Sequence, residues 1–199
     1  MSHGVATPFQ ACVVDLVNSS DCFTGGKIRH SLLLWCKLSS DTWIKSTVAG
    51  ITIEVDPTLK QCQGPKELHF SASDNTALHL ALQDLLMQGV IEPVGDSHVT
   101  GYLSNVFPRI KPDGTARVIL NLRDLNTHVD HIHFKMDTIK DALLLVYQNC
   151  FFASVDFKHA YFSVPVQVSH RKWLRFLWQG SLFQFTCMPQ GYTAAPRNC

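Results

Sequence analysis

Residues 154–166 read SVDFKHAYFSVPV, a stretch in which a carboxylate follows apolar residues. Asp156 lies within it and follows the apolar run 151–155, which has the length and the aromatic content of a strand near a core. An ionised carboxylate at such a position costs free energy unless a charged group or a metal ion pairs with it. The stretch therefore predicts a strand that ends at Asp156 and a partner for that carboxylate.

Composition sets wide bounds on the chain. It has 199 residues, 46% of them hydrophobic, and a formal net charge of +1, which suits one large domain or two small ones. A charge so close to zero argues against a basic coat protein for nucleic acid, although a local basic face can still bind phosphates. The seven cysteines are scattered without a C-x-x-C pair, so we expect free thiols in a reducing compartment.

No stretch of the sequence resembles a signal peptide or the roughly twenty apolar residues of a membrane span. We therefore expect an intracellular protein, cytoplasmic or nuclear, with no membrane partner.

The region after residue 73 has a clear helical pattern. Ser73 or Asp74 is expected to cap a helix, and Gly89 is expected to end it. The apolar positions of this helix recur at helical spacing: Leu78, Leu82, Leu85 and Leu86. A second helix is predicted over residues 136–147, with Asp137 near its N-terminus. Its apolar face consists of Ile139, Leu143 and Val146.

Two hairpins complete the pattern. The runs 105–110 and 116–122 flank Asp113 and Gly114, and the runs 172–178 and 181–186 flank Gln179 and Gly180. Helices mixed with hairpins, without regular strand–helix alternation, indicate an α+β fold.

The first third of the chain is less clear in its pattern. Segments 31–37 and 47–55 fit two short strands, or a helix and a strand, and residues 57–73 fit a linker. We predict an N-terminal region of unknown role over residues 1–72 and a second domain over residues 73–199.

Four segments in this order resemble the fingers and palm of a reverse transcriptase, from about Ala77 to the C-terminus. They are RVILNLRDLN at 117–126, FKM at 134–136, SVDFKHAYFSVPV, and MPQGYTAAP at 188–196. The resemblance implies an α+β polymerase fold that consists of the fingers and a partial palm. Together with the segment from Trp35 to Val55, which precedes these motifs, the sequence most resembles that of retrotransposons of the DIRS type.

The resemblance implies a metal site at Asp156. Nucleotidyl transfer uses two divalent ions, and Mg²⁺ prefers hard oxygen ligands such as carboxylates. Asp156 would bridge both ions, with the carbonyl of Phe157 as an accessory ligand. The structural alternative is an aspartate that caps the turn after a strand.

The same resemblance implies a nucleotide site. The backbone N–H groups of His159 and Ala160 would meet the triphosphate. The ring of Tyr161 would lie under the sugar and exclude a 2′-hydroxyl, and its structural alternative is an ordinary core aromatic residue.

Further residues are implied on both sides of that site. Arg117 and Lys111 would bind the incoming phosphates, and the alternative for each is a solvated hairpin charge. Gln190 would contact the nucleotide through its amide, and Gly191 would let the backbone approach the template closely. Two more residues are implied to support the template, with a structural role as the alternative: Arg123 and Asn126.

A histidine cluster and a missing motif limit these implications. His128, His131 and His133 lack the cysteine or distant acidic residue of a metal site, so a surface loop is the better interpretation. Reverse transcriptases carry a Tyr-x-Asp-Asp turn after the P-Q-G segment, and this sequence contains no Asp-Asp pair.

We therefore hypothesise an N-terminal part of a retroelement RNA-directed DNA polymerase that is inactive by itself. Its expected partners are an RNA/DNA template-primer and deoxynucleoside triphosphates, and its cofactor is Mg²⁺, all in the complete enzyme. We also expect self-association through an unpaired palm edge. The alternative is a domesticated or decayed, non-catalytic module that binds nucleic acid or protein.

Overall fold

The computed structural model describes residues 23–61, 64–65, 68–95, 101–130, 135–151, 153 and 156–198. Over these residues the chain has a mixed α and β fold with antiparallel strands. The helices are α1 (Leu32–Leu38), α2 (Thr42–Ala49), α3 (Ala72–Met87), α4 (Arg123–Asn126), α5 (Ile139–Leu143), α6 (Ala160–Ser163) and α7 (Ala195–Asn198). The strands are β1 (Ile91–Pro93), β2 (Val106–Ile110), β3 (Ala116–Leu120), β4 (Arg175–Trp178) and β5 (Ser181–Phe185).

Helix α3 is the longest helix of the described chain. Its N-cap is Ser71, whose hydroxyl accepts a hydrogen bond from the backbone N–H of Asp74 at 3.1 Å. The predicted cap at Ser73 or Asp74 is therefore wrong, because Ser71 already has the extended backbone that an N-cap needs. The predicted end is confirmed, since Gly89 has φ +64 and follows the last turn.

One face of α3 is buried as its spacing predicts. Leu78, Leu82 and Leu85 are at most 8% exposed, whereas Leu86 is 41% exposed and lies at the edge of this face. The buried face contacts strands β2 and β3.

Both predicted hairpins are present. Strands β2 and β3 pair from Val106 with Leu120 to Ile110 with Ala116. Strands β4 and β5 pair through the turn at Gln179 and Gly180, and β1 joins the other edge of β5 to give the order β1–β5–β4. Of these antiparallel pairings, the one between β1 and β5 connects segments far apart in sequence.

Residues ahead of the predicted linker pack into the same core as the residues after it. Ile51 and Ile53 are 5% and 1% exposed and belong to the cluster that contains Phe185 and Met188. Ile51 also forms a parallel bridge with Val166. The boundary near residue 72 stays a prediction, but the two sides share apolar contacts.

Two predicted elements differ from the structure. The helix expected over 136–147 is reduced to α5, which begins after Thr138 with a capping box formed with Asp141 rather than at Asp137. Its apolar residues Ile139 and Leu143 are 80% and 62% exposed, so no packed face extends it. Segment 47–55 is the end of α2 followed by isolated bridges, because a single residue pair at Ile51 does not make a strand.

The strand predicted ahead of Asp156 is not seen in the described part of the chain. Phe151 is 96% exposed and, like Ala153, lies in no strand, because none of the described strands pairs with this segment. Residues 152, 154 and 155 lie outside the described residues. Three cysteines are described, Cys36, Cys150 and Cys187, and each is a free thiol. Among the described helices, none has the length and apolarity needed to cross a membrane.

Candidate functional site

The main cavity brings together most of the residues that the sequence predicts for a site. It has a volume of about 770 Å³ and lies between α3, the β2–β3 hairpin and α6. Eight of the predicted residues line it: Lys111, Arg117, Asp156, Phe157, His159, Ala160, Tyr161 and Gln190. A cavity of this size accommodates a nucleotide-sized ligand.

One wall of the cavity was missed by the motif-based prediction. The residues that line it recur at intervals of four, three and four residues: Ala77, Ala81 and Asp84 of α3, and its C-cap Gln88. This second stripe lies on the helix beside the leucine face, so helical periodicity could have found it. Asp84 accepts a hydrogen bond from the Gln88 side chain at 2.9 Å and adds a carboxylate to the cavity wall.

Helix α6 positions the residues after Asp156. His159 is its N-cap and has φ +60, a left-handed conformation that is uncommon for residues other than glycine. Its ring lies 4.7 Å from the ring of Phe23 and 6.2 Å from that of Phe162, between centroids. These contacts fix the turn that presents the backbone of His159 and Ala160 to the cavity.

Charge and burial act together on His159. Burial lowers the pKa of its imidazole below 6.5, and the positive charge of Lys158 lowers it further, while Asp84 acts in the opposite direction. The neutral ring is therefore favoured in the folded chain. A neutral ring suits a contact with aromatic neighbours.

Asp156 is exposed and forms no ion pair or hydrogen bond with the residues that the structure describes. Phe157 is 73% exposed beside it. The carboxylate is thus accessible from the cavity, and within the described chain the partner that the sequence predicts for it is absent.

The β2–β3 hairpin supplies positive charge to the cavity. Lys111 begins the turn, where its backbone N–H donates to the carbonyl of Thr115 at 2.8 Å. Asp113 accepts hydrogen bonds from the backbone and hydroxyl of Thr115, which lower the pKa of its carboxyl group. Arg117 follows on β3 with an exposed side chain. The ordered turn therefore places two basic residues on the cavity wall.

The loop that carries Gln190 is anchored on both sides. Met188 is fully buried and donates its N–H to the carbonyl of Val164 at 2.9 Å. Tyr192 is 2% exposed, and its hydroxyl accepts a hydrogen bond from the backbone of Glu54 at 3.1 Å. Gln190 lies half-buried between these anchors and faces the cavity.

Three predicted residues lie outside the cavity lining. Gly191 has φ +94, which glycine adopts without strain, and its carbonyl accepts a hydrogen bond from the Asn126 side chain at 2.8 Å. Arg123 is exposed at the start of α4. Asn126 and Gly191 thus meet each other, and the predicted template roles of all three stay predictions.

The histidine cluster gives no sign of a metal site where it is described. His128 is exposed, and His131 and His133 lie outside the described residues. Across the described ranges, no group of three or more His, Cys, Asp or Glu side chains could hold a metal ion.

Comparison with known proteins relates the chain to retroviral polyproteins. No protein-family model matches it. It is 24% identical over 131 residues to the Pro-Pol polyprotein of Simian foamy virus type 1, and 25% identical over 132 residues to that of Feline foamy virus. Each match covers 66% of this chain but 11% of the polyprotein, so the chain spans only a small part of these relatives.

Solved structures show which fold the chain shares. The crystal structure of Prototype Foamy Virus Protease-Reverse Transcriptase matches with a TM-score of 0.58 at 22% identity, covering 74% of this chain and 19% of that one. This part of the chain has the fold found in that enzyme. Matches with foamy viral protease-reverse transcriptase in complex with dsDNA (TM-score 0.58, 22% identity, 74% of this chain and 30% of that chain) and with RNA/DNA hybrid (0.54, 21%, 73% and 19%) agree.

Proposed function

We propose that the chain is part of a retroelement RNA-directed DNA polymerase and comprises its fingers and a partial palm. In the complete enzyme it would help add deoxynucleotides to a primer by two-metal nucleotidyl transfer. The observation that carries the proposal is the cavity lined jointly by Asp156, Arg117 and Gln190. These residues belong to three motifs that are far apart in sequence, and a chance arrangement would not be expected to bring all three into one cavity.

The proposed role of the cavity is to bind a deoxynucleoside triphosphate. Lys111, Arg117 and Lys158 offer positive charge for phosphate oxygens. Tyr161 is half-buried in the same lining and would select against a 2′-hydroxyl by steric exclusion. An RNA/DNA template-primer is the proposed second partner, as the nucleic-acid complexes of the similar foamy viral proteins suggest.

Mg²⁺ fits this chain only in part. Asp156 and the carbonyl of Phe157 offer hard oxygen atoms and would supply some of the ligands of the two ions. Two ions need more carboxylates than the described lining supplies, so no catalytic step follows from this chain alone. The proposal therefore places the remaining ligands in a further part of the complete polymerase.

The finer origin of the chain is also a proposal. A DIRS-type retrotransposon rests on the resemblance that includes the segment from Trp35 to Val55, whereas the reported relatives are foamy viruses. An intracellular location, in the cytoplasm or nucleus, follows from the proposed polymerase role.

The test is binding of dGTP to the purified chain, measured by titration calorimetry with and without Mg²⁺. We expect the chain to bind dGTP. Arg117→Gln should weaken this binding by about tenfold, because it removes one charge-assisted hydrogen bond to a phosphate. Asp156→Asn should remove the Mg²⁺-dependent part of the affinity. Asp137→Asn makes the same charge change at an exposed position outside the cavity and should leave binding unchanged.

Two results would count against the proposal. Absence of dGTP binding by a folded chain would contradict a nucleotide site. An affinity for nucleic acid that is unchanged by Asp156→Asn, by Arg117→Gln and by removal of Mg²⁺ would instead favour the non-catalytic binding module.

A further inference from the structure

The β2–β3 hairpin holds two arginines directly opposite each other. Arg109 on β2 is the cross-strand partner of Arg117 on β3. Opposite residues of an antiparallel pair point to the same face, with Cβ atoms roughly 5 Å apart. The two guanidinium groups therefore share one face of the hairpin.

The pair is unfavourable in the free chain. Both side chains are exposed, and neither forms an ion pair with a described residue. Like charges directly opposite on a sheet destabilise it. The opposite face of the hairpin carries Val106, Val118 and Leu120, which are buried, so packing does not require an arginine at position 109.

The position of the pair indicates what compensates this repulsion. Arg117 lines the main cavity, and Lys111 lines it from the turn that follows Arg109. Arg109 is not part of the lining, so the pair extends from the cavity wall to its rim. An anion bound there would neutralise both charges.

We propose that Arg109 and Arg117 form a two-guanidinium site for a phosphate group at the rim of the cavity. Guanidinium groups present paired N–H donors that match phosphate oxygens. The inference rests on the proposed nucleotide function for its biological ligand, and it adds Arg109, which the motif resemblance did not include. The phosphate belongs to a triphosphate held in the cavity or to the backbone of a strand that passes the rim.

The experiment uses the full chain and two probes, inorganic tripolyphosphate without metal and a short oligothymidylate. Arg109→Gln should have effects of opposite sign. Without ligand, it raises the melting temperature by about 1–3 °C at low salt, because the repulsion is lost. With the probe that uses the site, it weakens binding by about tenfold.

Two variants serve as controls. Lys37→Gln removes one positive charge from an exposed position of α1 and should change neither quantity. Arg109→Lys keeps the charge but loses the paired donors, so it should keep the lower melting temperature and bind with intermediate affinity. About 0.5 M salt should remove the stability gain of Arg109→Gln through screening.

The outcomes separate this inference from the proposed function. If Arg109→Gln loses tripolyphosphate binding, the site binds a triphosphate. If this variant loses only oligothymidylate binding, the site binds the backbone of a nucleic-acid strand. If the chain binds a phosphate probe in an Arg109-dependent way but does not bind dGTP, the result would support the two-guanidinium phosphate site and contradict the nucleotide function. An Arg109→Gln chain with wild-type affinity for both probes would overturn the pair, whatever dGTP does.

Discussion

The side chain of Asn126 ties α4 to the loop at Gly191. Its Nδ2 donates to the carbonyl of Gly191 at 2.8 Å, and its Oδ1 accepts from the backbone N–H of Thr193 at 3.0 Å. One amide therefore satisfies two backbone groups on either side of Tyr192. Because Gln190 immediately precedes Gly191, this link positions the cavity wall without any strand pairing.

We predict that Asn126→Ala destabilises the chain by about 1–2 kcal/mol, since it leaves both backbone groups without their partner. Asn126→Asp keeps the acceptor for Thr193 but sets a carboxylate oxygen against the carbonyl of Gly191, so it should destabilise the chain by a similar amount. Chemical denaturation measures both. Asn75→Ala is the matched control, as the Asn75 side chain makes a single longer bond of 3.3 Å to Phe70. Equal stability of the two alanine variants would contradict the link.

The hairpins and the long helix could be predicted from sequence because their signals are local. Asp113 and Gly114 specify a turn within a few residues, and the leucine spacing of α3 needs no distant partner. The site residues could be grouped because their motifs occur in a known order. The contacts of Phe23, Ile51 and Asn126 with segments more than sixty residues away have no such local signal.

The errors have a physical cause of the same kind. The apolar spacing over 136–147 predicts a longer helix than α5, and the run before Asp156 predicts a strand. Each element needs a packing or pairing surface to form, and the described residues offer none. Local pattern is thus insufficient where the stabilising contact lies elsewhere.

A partly buried ion pair should stabilise the β1–β5–β4 sheet. Arg171, with 10% of its side chain exposed, donates from Nη1 to both oxygens of Glu92 at 2.9 and 3.0 Å. Gln184 also donates to Glu92, at 2.7 Å. We predict that Arg171→Ala costs about 2–4 kcal/mol, because it leaves a partly buried carboxylate without its charge partner.

The measurement is a double-mutant cycle with Glu92→Gln, followed by chemical denaturation. Glu92→Gln alone should also destabilise the chain, because it leaves the buried guanidinium of Arg171 without its charge partner. A coupling energy near zero between the two substitutions would show that the pair contributes nothing.

His159 should make stability depend on pH. Burial lowers the pKa of the folded-state imidazole below 6.5, so the unfolded chain takes up the proton first as pH falls. The free energy of unfolding is therefore expected to be highest above pH 6.5 and to decrease as pH falls through the folded-state pKa. Phe23→Ala uncovers the ring and should raise this pKa toward 6.5, as measured by NMR titration. Phe151→Ala, at a 96% exposed position, should not.

Self-association is predicted from the apolar surface between α5 and α6. Leu144, Leu145, Tyr147 and Phe151 are 72–96% exposed. Phe162 of α6 adds nothing to this surface, because it contacts Phe185 in the core. A surface of this kind favours association, so sedimentation should show species that grow with concentration. Leu144→Glu should reduce them more than Leu33→Glu, which changes an equally exposed leucine of α1. A monomer at every concentration would refute this prediction.

The purified chain is predicted to have no measurable polymerase activity on a primed RNA template with Mg²⁺ and deoxynucleotides. The reason is electrostatic, because two divalent ions and a triphosphate cannot be held close together by Asp156 alone, and Asp84, the other carboxylate of the described lining, is hydrogen-bonded to Gln88. The sequence contains no Tyr-x-Asp-Asp turn that would supply more. Primer extension measures the activity, and joining a segment that carries such a turn in the same chain should restore it in principle.

Asp156→Asn decides the meaning of any activity that is found. Activity that disappears in this variant would overturn the prediction and show that another acid completes the site. Asp84 is the first candidate, since it lies in the same cavity lining. The next step would then be Asp84→Asn, which should abolish the activity if its carboxylate shares the ions and spare it if Asp84 only hydrogen-bonds to Gln88. Activity that survives Asp156→Asn would come from a contaminating polymerase, because a two-metal site without its bridging carboxylate cannot assemble.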